Sequence, residues 1–177
     1  DGTLRWSTGS FLDLTSPEPR QTDSLHFDAE GNLLQVVVVT GSDVVVERLA
    51  RDDGVERWSR TYPGNPAVGS SFSASARMRN DELFFSSCTI GGTQVVRLDA
   101  AGNEIVRTVA PVGCFQTEMD VGPDGQTAVL AARVFGLSPT GALLFNSAYP
   151  PPVPSFFTAL KRALVFHPDG DFTILHG

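Results

Sequence analysis

Short apolar runs alternate with clusters of Gly, Pro, Asn and Asp along almost the whole chain. Such runs, bounded by turn-forming residues, are typical of strands. The clearest examples are 33–39, 44–49, 83–90 and 127–132. No window is long enough to carry apolar residues at helical spacing, and the short candidate at 158–164 leads directly into a Pro/Asp-Gly turn. The pattern therefore predicts an all-β protein.

One recurring motif is a glycine followed four residues later by a large residue. Glycine tolerates the positive φ of a tight hairpin, and a large residue on the strand that follows can pack between neighbouring sheets. We expect these pairs to be structural repeat positions, with inter-sheet packing favoured over sugar stacking for the aromatic members. The four pairs are Gly2 and Trp6, Gly54 and Trp58, Gly102 and Val106, and Gly141 and Phe145.

A second turn motif lies between copies of the first. It is an apolar residue, a turn rich in Pro, Asp, Glu or Gly, and then an apolar strand, as seen at 27–32, 121–126 and 166–171, with a degenerate copy at 78–82. Gly125 and Gly170 are about 45 residues apart, a step that suits a four-stranded propeller blade. The two motifs therefore predict an outer and an inner hairpin in every repeat.

These repeats predict a β-propeller-like array of about three to four four-stranded antiparallel blades in a single domain, 1–177. The expected units are a partial blade at 1–15, blades at 24–63, 70–110 and 115–150, and a partial blade at 157–177. The third blade must have a shortened middle hairpin. Because the sequence begins on an outer strand and ends on an inner one, we expect part of a larger ring. A four-bladed ring closed by the two termini is the alternative.

Composition narrows the function classes. The 177 residues carry a formal net charge of -7, and the 13 basic residues are scattered rather than clustered. Phosphate binding needs concentrated positive charge, so a nucleic-acid partner is disfavoured. Apolar runs are far shorter than the roughly 20 residues of a membrane helix, so no transmembrane segment is predicted.

Candidate chemistry is sparse. His26, His167 and His176 are not repeat equivalents, so we expect surface or turn histidines and no metal site. The aspartates around Gly170 lack the full ligand spacing of a calcium loop and suit local turn hydrogen bonding. No nucleophile elbow and no Cys–His pair is evident. The sequence therefore predicts no catalytic, cofactor-binding or metal-binding residues and no cofactor.

The two cysteines, Cys88 and Cys114, match neither a redox pair nor a zinc site. They can form a structural disulfide if the protein is secreted. Buried thiols are the alternative, because free cysteine is among the most buried residue types.

The segment from Leu98 to Val106 and the copies at Gly54 and Gly2 each carry part of a Leu-Asp-x2-Gly-x3-Trp pattern. It resembles the tryptophan-docking repeat of PQQ-like bacterial β-propellers. Two of the four copies keep Trp, and none keeps the family's lead-in intact. The resemblance implies either a quinoprotein dehydrogenase or a cell-envelope scaffold. The enzymes carry a vicinal disulfide, whereas Cys88 and Cys114 are not adjacent.

We therefore expect a non-catalytic scaffold or binding module of a secreted or cell-envelope bacterial protein, contacting protein or glycan through blade-end loops. One alternative is part of a quinoprotein-like enzyme whose catalytic residues lie outside this segment. Another is a structural subunit that self-assembles through exposed sheet edges.

Overall fold

The computed structural model describes residues 20–39, 43–65, 74–113, 117–148 and 162–176, and these residues form strands and turns without a helix. Fourteen strands are present in this part of the chain. They are β1 (Arg20–Phe27), β2 (Leu33–Val39), β3 (Val44–Leu49), β4 (Glu56–Tyr62), β5 (Ser75–Arg79), β6 (Glu82–Thr89), β7 (Gly92–Leu98), β8 (Glu104–Ala110), β9 (Glu118–Val121), β10 (Thr127–Leu130), β11 (Val134–Leu137), β12 (Leu143–Ser147), β13 (Arg162–Phe166) and β14 (Phe172–His176).

The strands form four antiparallel sheets in chain order. Sheet 1 contains β1 to β4, sheet 2 contains β5 to β8, sheet 3 contains β9 to β12, and sheet 4 contains β13 and β14. Within each sheet, strands pair with their neighbours in sequence, so sheets 1 to 3 are meanders and sheet 4 is a hairpin. The predicted all-β, blade-like array is confirmed.

The second and third strands of each four-stranded sheet are buried on both faces, and the fourth strands are largely exposed. Phe84 and Phe85 show the reason, because they are consecutive residues of β6 that point to opposite faces and both are buried. A strand covered on both faces needs apolar residues at every position, which explains why the inner strands lack strict alternation. The inner strands therefore form the core, and the fourth strands form the outer edge.

Three apolar clusters join consecutive sheets. Sheets 1 and 2 share a cluster around Val36 and Phe85, and sheets 2 and 3 share one around Phe84 and Phe135. A third cluster, around Leu130 and Leu164, joins sheets 3 and 4. The first strands also contact one another in sequence, β1 with β5, β5 with β9 and β9 with β13. The sheets are therefore stacked face to face in chain order.

Two ends of the sheets can be distinguished. The hairpin end carries the glycine turns between first and second strands and between third and fourth strands. There Gly31, Gly102 and Gly141 adopt φ values of 81°, 77° and 82°. The loop end carries the turns between second and third strands and the connections between sheets.

The degenerate inner turn in sheet 2 has no glycine, and Asn80 and Asp81 take positive φ instead, at 51° and 59°. Asn and Asp tolerate this conformation better than other non-glycine residues. The shortened hairpin of sheet 3 is also visible, because β10 and β11 have four residues each and are joined by residues 131–133. None of the described residues forms a helix long and apolar enough to cross a membrane.

Candidate functional site

The repeat positions lie at the contacts between sheets. Trp58 of β4 packs on Gly102 in the outer turn of sheet 2, where a Cβ would lie 2.6 Å from the ring. Its Nε1 donates a hydrogen bond to the carbonyl oxygen of Ala100 in the same turn, at 3.3 Å. Arg60, two residues after Trp58, donates to the carbonyl oxygen of Gly102 at 3.0 Å. One turn thus receives three contacts from the preceding sheet.

Sheets 2 and 3 meet in the same way. Val106 occupies the position of Trp58, and a Cβ on Gly141 would lie 2.6 Å from its side chain. Thr108, two residues later, donates from its hydroxyl to the carbonyl oxygen of Gly141 at 2.8 Å. Gly2 and Trp6 lie outside the described residues, so their packing stays a prediction.

An arginine on the third strand, which the turn motifs did not indicate, links two consecutive sheets. We call this an arginine clasp: the guanidinium binds a turn carbonyl of the next sheet and a carboxylate of its own sheet. Arg48 donates to the carbonyl oxygen of Ala100 at 2.9 Å and forms a 2.6 Å ion pair with Asp28, whose side chain is only 5% exposed. In sheet 2, Arg97 donates to the carbonyl oxygen of Pro139 at 3.0 Å and pairs with Glu82 at 2.7 Å. Arg48 lies opposite Trp58 in the β3–β4 register. A repeat search extended from the turns to the facing strand could have found the pair.

The junction of sheets 3 and 4 departs from this scheme. Gly136 replaces the arginine and lies opposite Phe145, whose ring occupies the space that a Cβ at position 136 would need. Phe145 stacks on Phe172 of β14, with centroids 5.5 Å apart and planes 7° apart. An aromatic stack therefore replaces the arginine clasp.

The first strands of sheets 2, 3 and 4 meet through polar contacts. Arg77 of β5 lies 3.6 Å from Asp120 of β9, measured from Nε to Oδ1. The other carboxylate oxygen of Asp120 accepts a hydrogen bond from the backbone N–H of Phe166 in β13, at 2.7 Å. The backbone N–H of Met119 donates to the hydroxyl of Ser75 at 3.2 Å. These residues define a first-strand surface that offers a guanidinium, from Arg77, and a carboxylate, from Asp120, to a polar ligand.

Burial shifts the pKa values of two side chains beside this surface, Glu118 and His26. Desolvation raises the pKa of Glu118, although the Arg77 charge and a Ser75 hydrogen bond oppose the shift. Desolvation lowers the pKa of His26, and Arg77 lowers it further. The His26 Nε2, the Ser24 hydroxyl and the Arg79 Nε are buried and have no hydrogen-bond partner among the described residues.

The histidine predictions have mixed outcomes. His167 lies at a turn, where its Nε2 is 2.7 Å from the Thr173 hydroxyl. His26, expected at the surface or in a turn, lies within β1 and is partly buried, with its Nε2 shielded from solvent. A single histidine in a strand gives no periodic signal of burial. Among the described residues, no group of three or more His, Cys, Asp or Glu could hold a metal ion.

Cys88 lies at the loop end of β6, fully buried and disulfide-bonded. Cys114 is outside the described residues, so the predicted pairing stays a prediction. Beside Cys88 is a buried polar group in which the Gln94 amide donates to the Ser87 hydroxyl at 2.8 Å and to the carbonyl oxygen of Pro63 at 3.2 Å. These bonds fix the loop end of sheet 2 from inside.

The most exposed large apolar side chain of the described residues is Ile90, at 79%. It lies in the tight turn between β6 and β7, at the loop end, where polar residues and glycine normally predominate. Val109 on β8 is 46% exposed and lies beside the same turn, close to Gly91. Together they form a small apolar spot next to the disulfide-bonded Cys88.

Comparison with known proteins gives the fold and little more. No protein-family model and no curated protein matches the chain. A crystal structure of a protein of unknown function from Bacteroides caccae is similar, with a TM-score of 0.57 and 15% sequence identity. The match covers 88% of this chain and 53% of that one, so this chain spans about half the length of the similar structure.

Proposed function

We propose that this chain is part of a β-propeller scaffold of the PQQ-like type. Its role is that of a non-catalytic binding module in a secreted or cell-envelope bacterial protein, and it contacts protein or glycan through its loop end. The observation that carries the proposal is Ile90, which is 79% exposed in the tight loop-end turn between β6 and β7. The hairpin end is held by hydrogen bonds from Arg48 and Arg97 to turn carbonyls of the next sheet.

A rigid scaffold with variable loops is a common way to build a binding surface. The hairpin-end contacts satisfy the turn carbonyls of Ala100, Gly102 and Gly141 within the molecule. At the loop end, Ile90 places an apolar side chain where folding does not require one. The disulfide at Cys88 supports an oxidising compartment, in which such bonds persist.

The test compares Ile90 with Val55, an apolar residue that is 55% exposed at the hairpin end. The wild-type chain and the variants Ile90→Ser and Val55→Ser are applied to arrays of bacterial and host polysaccharides. In parallel, a photo-crosslinking amino acid replaces Ile90 or Val55, and the chain is irradiated in a bacterial cell-envelope fraction.

We expect glycan binding that Ile90→Ser abolishes and Val55→Ser retains, or crosslinks to a defined envelope protein from position 90 but not from position 55. Binding that depends on Val55 and not on Ile90 would contradict the proposal. The absence of binding in both assays would contradict it as well.

A further inference from the structure

An open groove of about 650 Å³ lies between sheet 3 and the hairpin of β13 and β14. Phe145, Phe166 and Phe172 line it, together with Gly136, Asp169 and Asp171. A hollow of about 310 Å³ adjoins it and shares Phe145 and Phe172, with Ser147 at its wall. The groove is therefore apolar along the strands and acidic at the hairpin end.

The two preceding junctions show which element occupies the equivalent position between the other sheets. We call the pair of fourth-strand side chains that contacts this element a seat. On sheet 1, the seat made by Trp58 and Arg60 holds the β7–β8 hairpin through Gly102. On sheet 2, the seat made by Val106 and Thr108 holds the β11–β12 hairpin through Gly141. In both cases the occupant is the hairpin of third and fourth strands of the next sheet.

Sheet 3 carries the same seat. Phe145 lies opposite Gly136 as Val106 lies opposite Arg97, and Ser147 lies opposite Val134 as Thr108 lies opposite Val95. Phe145 thus corresponds to Val106, and the Ser147 hydroxyl corresponds to the Thr108 hydroxyl that donates to a glycine carbonyl. Within the described residues, no glycine turn lies on this third seat.

Within the described part of the chain, no further strand pairs with the edge of β14 next to the groove. In sheets 1 to 3, the second strand pairs with a first strand on one side and a third strand on the other. In the described residues, β14 pairs only with β13. An unpaired edge presents a row of backbone donors and acceptors that a further strand can bind.

The carboxylate of Asp169 indicates which side chain a strand added to β14 would carry. Asp169 precedes Gly170 in its turn as Glu30 precedes Gly31, and Glu30 forms a 3.0 Å ion pair with Arg48 of the adjoining third strand. An arginine on a strand added to β14 would meet Asp169 in the same way. The groove therefore favours a hairpin with an arginine before its turn.

We propose that this groove and the edge of β14 bind a β-hairpin partner with the chemistry Arg-Leu-Asx-x-x-Gly-x3-large. Its first strand pairs antiparallel with β14, its arginine lies against Asp169, and its turn glycine lies on Phe145 beside the Ser147 hydroxyl. The proposal is independent of ligand binding at the loop end, because every contact it uses lies on sheets 3 and 4.

The probe is a fluorescent peptide that copies residues 92–110, which contain Arg97 and Gly102 in the required spacing. Fluorescence anisotropy measures its binding to the intact chain. Two peptide variants, Gly102→Val and Arg97→Ala, test the glycine and the arginine without altering the protein. Protein variants Ser147→Ala and Asp169→Asn test the seat. Their matched controls are Asn146→Ala, the next residue on β12, and Asp124→Asn, at the equivalent turn position of sheet 3.

We expect saturable one-to-one binding that each test variant weakens by about tenfold and each control leaves within about twofold. Peptide binding should also slow amide exchange along β14. Absence of saturable binding, or equal binding by the Gly102→Val peptide, would overturn the proposal. Concentration-dependent self-association that protects β14 and excludes the peptide would overturn it in favour of a second copy of the chain as the occupant.

Discussion

Trp58, in the junction between sheets 1 and 2, lies on the glycine of a neighbouring turn, whereas Phe145, at the same repeat position in sheet 3, stacks on Phe172. The first junction is closed by a hairpin, an arginine clasp and a continuous apolar cluster. The last junction has a glycine in place of the arginine and an open groove. The same repeat can therefore serve as a rigid joint or as a seat, depending on whether a hairpin fills it.

The largest expected difference between the junctions lies in their phenylalanines. Phe85 is fully buried in the closed junction, so Phe85→Ala should lower the free energy of unfolding by about 4 kcal/mol. Phe145 is half-buried at the groove, so Phe145→Ala should cost less than about 2 kcal/mol. Urea denaturation of both variants measures the difference, and equal losses would mean that the last junction is as closed as the first.

The turn glycines provide a matched pair. Gly102 and Gly170 both have positive φ, at 77° and 91°, but Gly102 also lies under the Trp58 ring, whereas nothing lies within 4 Å of a Cβ on Gly170. Gly102→Ala should therefore cost about 3 kcal/mol, from backbone strain and displacement of the ring. Gly170→Ala should cost about 1 kcal/mol, from backbone strain alone. Thermal unfolding of the two variants checks the order, and the reverse order would contradict the assigned packing.

The loss of stability on removing Arg48 or Arg97 should increase with the burial of the carboxylate that each one pairs with. Arg48→Met leaves the charge of Asp28 unpaired in a site where its side chain is 5% exposed, and we expect a loss of about 2 kcal/mol. Arg97→Met leaves the charge of Glu82 without its arginine partner. Because the Glu82 side chain is 25% exposed, we expect a smaller loss of stability, about 1 kcal/mol. Denaturant titrations at neutral pH compare the two, with Arg51→Met as an exposed control.

The smallest expected effect is on acid stability. Burial alone would raise the pKa of Asp28, but hydrogen bonds from Asn32 and the Arg48 guanidinium lower it below its ordinary value of 3.8. A lowered carboxylate pKa contributes stability above the unfolded-state pKa, and that stability is lost as pH falls through the folded-state pKa. Wild-type protein should thus lose more stability than Asp28→Asn between pH 5 and pH 2, measured by unfolding at successive pH values. Parallel curves would show that the Asp28 pKa is not lowered.

Much of the fold could be predicted because short local sequence motifs mark each repeat. Turn glycines and apolar runs located nearly every described strand, since each depends on a few adjacent residues. The start of β1 at Arg20, earlier than the predicted start near residue 24, was missed because Arg-Gln-Thr-Asp is polar and shows no alternation. Strand ends of this kind are set by pairing with β2 rather than by their own composition.

The contacts between sheets were harder to predict. Gly102 and Trp58 were recognised as repeat positions, but their partners lie one repeat away and no local rule links them. Arg48 and Arg97 lie on third strands, outside the turn motifs, and the residues around them give no indication of a carbonyl acceptor in the next sheet. The first-strand surface of Arg77 and Asp120 was missed for the same reason.

Residue-resolved amide hydrogen exchange distinguishes the closed junctions between sheets 1, 2 and 3 from the open junction between sheets 3 and 4. We expect the strongest protection in β2, β3, β6 and β7, whose strands are paired on both edges and buried on both faces. We expect clearly faster exchange at alternate amides of β14, whose N–H groups point away from β13. Uniform protection of β14, equal to that of β6, would show that the last junction is closed as well.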